Sequence, residues 1–189
     1  MINFELCKIE SSAAEAYVWD SARGYSTRIV NAESFHKYMH PDVSPGLSDW
    51  LFERGDICVA NFYEDLIVGF GFNSRLSTRV NERIDFDFPQ SYVYGFGDYT
   101  HPDHRGKRLA RDRWKVLRET HNAEGSDPPT IFYVNLGNIE SLRANLSTPE
   151  IISNRLIGYT AHIKIGDRSF CWNSAGTKAA GACFRLRKN

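Results

Sequence analysis

The sequence carries no surplus of charge: 23 lysine and arginine residues are matched by 23 aspartate and glutamate residues. The overall basic footprint that marks most nucleic-acid binders is therefore missing. No apolar run approaches the ~20 residues that cross a bilayer, so no membrane span is expected. The first residues, Met-Ile-Asn-Phe-Glu, have neither a basic region nor a long apolar stretch, which argues against a secretory signal. Cysteine is sparse. Cys7, Cys58, Cys171 and Cys183 share no CxxC spacing and join no histidine cluster, so the usual zinc patterns are excluded and no metal is expected. Reduced, mostly buried thiols in a cytoplasmic protein are the expectation. The Walker A pattern is absent, which excludes the common nucleoside triphosphatase loop. Internal repeats and low-complexity tracts are absent as well.

What is present is an ordinary globular composition, 42% hydrophobic and 24% charged in 189 residues. That length suits one domain with a single core. Phe4 to Ile9 alternates apolar and polar and predicts a first strand. Ser11-Ser12 before Ala13 to Trp19 reads as a capped short helix, and Ala32 to Met39 and Leu47 to Glu53 as two more. Asp56 to Phe62 and Leu66 to Phe72, joined at Glu64-Asp65, form a hairpin pattern. Residues 74 to 90 are polar and read as a loop. Tyr92 to Thr100 is a third strand, interrupted by Gly95 and Gly97, as at a bulge or a close backbone approach. Leu109, Arg113, Trp114, Leu117 and His121 fall at helical spacing, with Gly125 as the stop. Thr130 to Leu136 is a fourth central strand, and Asn138 to Asn145 a short helix. Gly166-Asp167 turns Ala161 to Ile165 into Ser169 to Trp172, and Cys183 to Arg187 is a last strand. The fold class expected is mixed α/β (α+β), with one mostly antiparallel central sheet flanked by helices.

The chemistry-bearing stretch is Tyr99-Thr100-His101-Pro102-Asp103-His104-Arg105-Gly106-Lys107-Arg108-Leu109-Ala110, between a strand and a helix. The first N–H groups of that helix lack intrahelical acceptors and sit at the positive end of its dipole. Such a junction suits a phosphate or pyrophosphate. Gly106 admits a ligand close to the backbone, and Arg105, Lys107 and Arg108 supply cations for phosphate oxygens. Taken alone, the same residues read equally well as a basic helix start on a solvated surface.

His-Pro-Asp-His-Arg-Gly-Lys-Arg-Leu-Ala resembles the acyl-CoA-binding motif of the GNAT superfamily of N-acyltransferases, usually Arg or Gln, two residues, Gly, one residue, then Gly or Ala. Arg105 and Ala110 match its ends, while Arg108 stands where the family usually has its middle glycine. Downstream, Asn138-Ile139-Glu140-Ser141 is similar to the family's Asn-x-x-small helix start, and Gly158-Tyr159 to its Gly-aromatic pair. Asn145 occupies the position of the family's common tyrosine acid. The resemblance covers about residues 56 to 165 as a GNAT-like core. Residues 10 to 55 would then be acceptor-side helices of a single acyltransferase domain spanning 1 to 189.

The resemblance implies acetyl-CoA, or a longer acyl-CoA, as co-substrate. It implies direct attack of a small-molecule or peptide amine on the thioester. Cofactor-binding candidates are Tyr99, Thr100, Arg105, Gly106, Lys107, Arg108, Leu109, Ala110, Asn138 and Ser141. Asp98, alone among the apolar residues of its strand, is the candidate base, since burial there would raise its pKa. Tyr159 is the first candidate acid, with Tyr133 and Tyr94 as further choices. His101 and His104 flank the turn, and His36 and His40 are candidates for the acceptor side. An acyl-carrier-protein thioester is an alternative donor, and a homodimer an open alternative to a monomer. A catalytically inactive acyl-CoA-binding or sensor module is the second reading. A nucleic-acid domain using the Arg105 to Arg118 face is the third, disfavoured by zero net charge.

Overall fold

A computed structural model describes residues 2–10, 24–41, 48–81, 83–126, 128–141, 155–165 and 168–187. The fold is mixed α+β with a mainly antiparallel central sheet. The chain forms two compact units: the first draws on described residues within 1–16, 75–94 and 128–189, the second on those within 17–74 and 95–127.

In the second unit the strands are β2 (Tyr25–Val30), β3 (Ile57–Tyr63), β4 (Leu66–Ser74) and the greater part of β7 (Val93–Thr100), in the order β7-β4-β3-β2. The helices α1 (Ala32–Tyr38), α2 (Ser48–Glu53) and α3 (Leu109–Ala123) complete it. The β3–β4 hairpin carries a register shift between Asn61 and Phe62. Cys58, Ala60 and Phe62 of β3 pack with Val30, Phe35, Leu51, Ile67 and Phe72 into one apolar cluster beneath α1 and α2. Phe35 is its centre, with ring centroids 5.1–5.7 Å from those of Phe52, Phe70 and Phe72. Alternation sends Asn61 to the opposite face, toward α3. Asn31 caps α1 by accepting the Ser34 N–H at 2.9 Å.

The first unit orders its strands β10-β9-β1-β8-β7, where β1 is Ile2–Glu10, β8 Thr130–Asn135, β9 Arg155–Ile165 and β10 Arg168–Asn173. β1 pairs antiparallel with both β8 and β9. The parallel ladder of β7 to β8 consists of Val93↔Thr130 and Tyr94↔Ile131. A small second sheet, β5 (Thr78–Asn81), β6 (Ile84–Asp87) and β11 (Cys183–Leu186), runs in the order β11-β6-β5. Phe86 sits among Tyr94, Tyr133 and Phe184, at 4.8, 5.6 and 5.9 Å between centroids. A short helix α4 (Ala175–Ala179) is capped by Ser174.

Three elements differ from the sequence expectation. Residues 74 to 90 were expected as loop, but they hold β5 and β6, because Ile84 and Phe86 alternate inward on a polar-looking hairpin. β2 stands within the stretch expected to be helical, since Tyr25–Val30 gains a partner edge on β3. The expected helix Ala13 to Trp19 lies outside the described residues, as does the end of the expected helix Asn138 to Asn145. Among the described residues, no helix is long and apolar enough to cross a membrane.

Candidate active site

The second unit brings together Asp98, Tyr99, Thr100 and the whole turn from Arg105 to Ala110. β7 leads through a single 3-10 turn, Pro102–His104, to the start of α3. The chain is anchored as it leaves the strand: the His101 N–H donates to Val68 O at 2.8 Å, and Arg105 Nε donates to Thr100 O at 3.1 Å. Gly106 and Arg108 both have left-handed backbones, at φ 75° and 61°. Left-handed residues interspersed in a turn curl the chain so that N–H groups converge on a concave side, an arrangement suited to anions. Arg108 is the residue before α3 and adopts the conformation that glycine favours. Thus the turn carries an arginine side chain on a left-handed backbone at that point. Arg105, Gly106, Lys107 and Arg108 are all exposed, and Leu109 is buried beneath them.

The turn is tied to β2. Lys107 Nζ donates to Tyr25 Oη at 2.7 Å, and Tyr25 Oη lies 2.8 Å from His104 Nδ1. With the ammonium donating to the phenol oxygen, the phenol proton is directed at a neutral imidazole. Burial, then the Lys107 ammonium and the His101 ring, hold His104 below the usual histidine range. The ring of Tyr63 packs against both, 5.0 Å from Tyr25 and 5.2 Å from His104. His40 lies over His101 at 4.2 Å between centroids.

Beside this turn lies a buried polar network that sequence reasoning missed. Arg113, on the face of α3 turned to the sheet, is 4% exposed. Its Nη2 and Nε donate to Asp98 Oδ1 at 2.9 and 3.3 Å, and its Nη1 donates to Asn61 Oδ1. Asn61, with no exposed surface, donates onward to Thr27 Oγ1 at 2.8 Å and to Leu109 O at 3.2 Å. Two glycines of β4 make room. A Cβ on Gly69 would stand 2.8 Å from Arg113 Nη1 and 2.9 Å from Asn61 Oδ1, and one on Gly71 would overlap Asp98 Oδ1. The available signal was the pair of glycines facing a polar residue in the neighbouring strand, together with an arginine at an inward helical position.

Asp98 therefore differs from the isolated, buried acid expected of its strand. Its side chain is 48% exposed and ion-paired to Arg113. The reason is local backbone: Gly97 has φ 62°, which interrupts the alternation of β7, so Gly95 and Asp98 both meet α3. The ring of Trp114 rests on Gly95, where a Cβ would overlap it. On the other face Phe96 stacks with Phe72 at 6.0 Å and Tyr99 with Phe70 at 5.5 Å.

Asn138, Ser141 and the tyrosine candidates belong to the first unit. Asn138 caps the helical turn that begins at Ile139, accepting the Ser141 N–H at 3.1 Å. Tyr159 is a 40% exposed residue of β9 whose N–H donates to Ser174 Oγ at 3.1 Å. Tyr94 and Tyr133 stack at 5.9 Å in the aromatic core. In the second unit, His36 pairs with Asp49 at 2.5 Å on the exposed side of α1 and α2. Among the described residues, no group of three or more His, Cys, Asp or Glu side chains is arranged to hold a metal ion.

No protein-family model matches the chain, and no curated protein matches it in sequence. Among solved structures it is similar to one assigned to the GNAT acetyltransferase family from Novosphingobium aromaticivorans, with a TM-score of 0.53 and 14% identity over 85% of this chain and 63% of that one. It is also similar to an acetyltransferase from the GNAT family from Colwellia psychrerythraea, with a TM-score of 0.52 and 12% identity over 82% of this chain and 55% of that one. The chain thus spans less than two thirds of either relative. At these identities the likeness is one of architecture: the chain has a GNAT-like fold.

Proposed function

We propose that this chain is an acyl-CoA-dependent N-acyltransferase that moves an acetyl or longer acyl group to a primary amine. The observation that carries the reading is the junction of β7 with α3. There, a turn with left-handed residues at Gly106 and Arg108, flanked by three exposed cations, presents helix N–H groups within a GNAT-like fold. The N–H groups at Leu109 and Ala110, with Arg105, Lys107 and Arg108, would take the diphosphate of the carrier. Tyr99 and Thr100 would guide the pantetheine arm along the end of β7. Asn138 and Ser141 are proposed on the donor side by resemblance alone.

In the reaction, the amine nitrogen bonds to the thioester carbonyl carbon and the carbon–sulfur bond breaks. The attacking ammonium gives up a proton beforehand, and the leaving thiolate takes one up. Asp98 is the proposed proton acceptor and a water the proposed donor. A backbone N–H of β7 beyond Gly95 would steady the oxyanion. Holding the amine against the carbonyl supplies the orientation on which most of the acceleration depends.

The test is a thermal shift and calorimetric titration with CoA and acetyl-CoA, followed by thiol release over an amine panel. Saturation at a hundredfold excess over Kd raises stability by about 2.7 kcal/mol. An unmoved melting temperature with CoA, acetyl-CoA and longer acyl-CoA would end the proposal. A second reading, an acyl-CoA-binding or sensor module without turnover, is favoured by the ion pair that occupies Asp98 Oδ1. Binding with no thiol release from any amine would select it. Supplying the thioester on an acyl-carrier protein tests the alternative donor.

A further inference from the structure

Tyr25 of β2 holds two groups of the turn at once. Its Oη accepts from Lys107 Nζ at 2.7 Å and lies 2.8 Å from His104 Nδ1. An ammonium has only donors, so the phenol proton goes to Nδ1, and the proton of the neutral imidazole sits on Nε2. Lys107, exposed on the turn, gives one of its three N–H bonds to Tyr25 and keeps two for another acceptor. A proton added to His104 upsets this arrangement. Nδ1 becomes a donor, and one phenol oxygen then accepts from two cations, at 2.7 and 2.8 Å. The surroundings decide how far that goes. Burial first, then the charges of Lys107 and His101 and, more weakly, His40, disfavour the imidazolium, whereas Asp103 favours it. The Asp103 carboxylate is 85% exposed, and the Tyr63 ring of β3, 5.2 Å from that of His104, carries no charge. An anion on the turn reverses the balance, because it offsets the Lys107 ammonium.

We propose that Tyr25 is a positioning residue, which holds Lys107 ready for the carrier's diphosphate and couples the binding of that anion to uptake of a proton by His104. The proton comes from solvent and settles on Nδ1, and the phenol O–H is released from the imidazole. The bound state then keeps the proton to higher pH than the free state. Affinity rises as pH falls through the bound-state value and levels off below the free-state value. The identity of the anion rests on the acyltransferase reading, whereas the coupling of anion to proton does not.

The experiment follows the ring C–H signals of His104 by NMR through pH titrations of the free protein, of the protein with dephospho-CoA, and of the protein with sulfate at constant ionic strength. Both probes keep their charge across the histidine range, so a change in bound protons belongs to the protein. The His104 signal is assigned by its loss in His104→Asn. Its titration midpoint is expected to move up with either probe, and dephospho-CoA to bind about tenfold more tightly at about pH 5 than at about pH 8. In His104→Asn, which keeps an acceptor for Tyr25, that dependence shrinks to about threefold or less, the share of His101 and His40. Tyr25→Phe removes the shared oxygen alone. It is expected to raise the His104 midpoint of the free protein, because a hydrogen bond to the neutral ring is lost. In that background Lys107→Met costs less affinity than in the unaltered chain. Additive losses would remove the positioning role. An unmoved His104 midpoint with both probes, or an undiminished pH dependence in His104→Asn, would overturn the proposal. Binding of CoA and acetyl-CoA is measured in parallel. If they bind and the His104 midpoint stays put, the coupling alone fails. If no carrier binds and sulfate still moves the midpoint, the acyltransferase reading fails and the coupling stands.

Discussion

Gly71 of β4 lies directly against the carboxylate of Asp98 on β7, so closely that a methyl group at Gly71 would overlap Asp98 Oδ1. The backbone of Gly71 is not left-handed, so alanine is excluded there by neighbours and not by conformation. Gly71→Ala must push the carboxylate away from Arg113, at a cost of about 1–3 kcal/mol in urea unfolding. In an Asp98→Ala background the overlap is gone and the same change meets Arg113 Nε at an ordinary 3.5 Å. The double-mutant cycle should therefore return a coupling of about 1 kcal/mol or more. Additive effects would show that the overlap is relieved by moving β4 instead.

Asn61 is the hinge of the buried network, because it accepts from Arg113 and donates to Thr27 and to Leu109 O. Asn61→Leu keeps the branching of the side chain and leaves a buried guanidinium N–H unpaired. A loss of about 2–3 kcal/mol is expected, against about 1 kcal/mol for Thr27→Val, whose hydroxyl serves one bond. Urea unfolding of both variants measures the difference. Because Asn61 also holds the first carbonyl of α3, Asn61→Leu is further expected to weaken acyl-CoA binding without touching a cation of the turn.

These residues also mark the limit of what the sequence made legible. The helical spacing of Leu109, Arg113, Leu117 and His121 predicted α3, and all four prove buried. The same spacing said nothing of Arg113 as a buried cation, because its partners lie 15 and 52 residues away in the chain. The turn from His101 to Ala110 was readable because its glycine, proline and basic residues are contiguous. Asp98 was singled out by composition, yet its exposure depends on the left-handed Gly97, which a pattern of alternation cannot supply. β5 and β6 escaped notice because four-residue strands with polar outer faces look like loop until β6 is seen paired with β5 on one side and β11 on the other.

That small sheet carries a pH signature. Arg185 donates to both oxygens of Asp87, which holds the Asp87 carboxyl below the ordinary aspartate range. A depressed folded-state pKa means that the unfolded chain binds the proton more readily. The contribution is then complete above the unfolded value of about 3.9 and is lost as pH falls through the lower folded value. Urea midpoints should fall less between about pH 6 and about pH 3 in Arg185→Gln than in the unaltered chain. Parallel declines would remove Asp87 as a contributor.

Cys58 offers a probe of opening in the second unit. Burial pushes its thiol up to about 12, with the Arg113 charge only partly opposing that rise. Thiolate is the reactive form, so a disulfide reagent near neutral pH should modify Cys58 only when the apolar cluster opens. Peptide mapping by mass spectrometry should show its labelling rate rising with urea in step with unfolding. Rapid labelling without denaturant would mean that β3 opens locally.

Arg108 separates the two demands on the turn. Its backbone is left-handed at φ 61°, a conformation that costs an ordinary residue roughly 1 kcal/mol and glycine almost nothing. Its guanidinium is exposed and, in the proposed function, faces the diphosphate. Arg108→Gly should therefore leave stability unchanged or raise it by up to about 1 kcal/mol, while acyl-CoA affinity falls several-fold with the lost cation. Arg108→Ala should lose the same affinity and leave stability near that of the unaltered protein, since the left-handed strain remains. Added salt should narrow the affinity gap between the unaltered protein and both variants, because a contact between exposed charges is screened. Thermal unfolding and calorimetric titration of the two variants together decide the matter. Equal affinity in all three proteins would leave Arg108 with the shape of the turn and no part in holding the carrier.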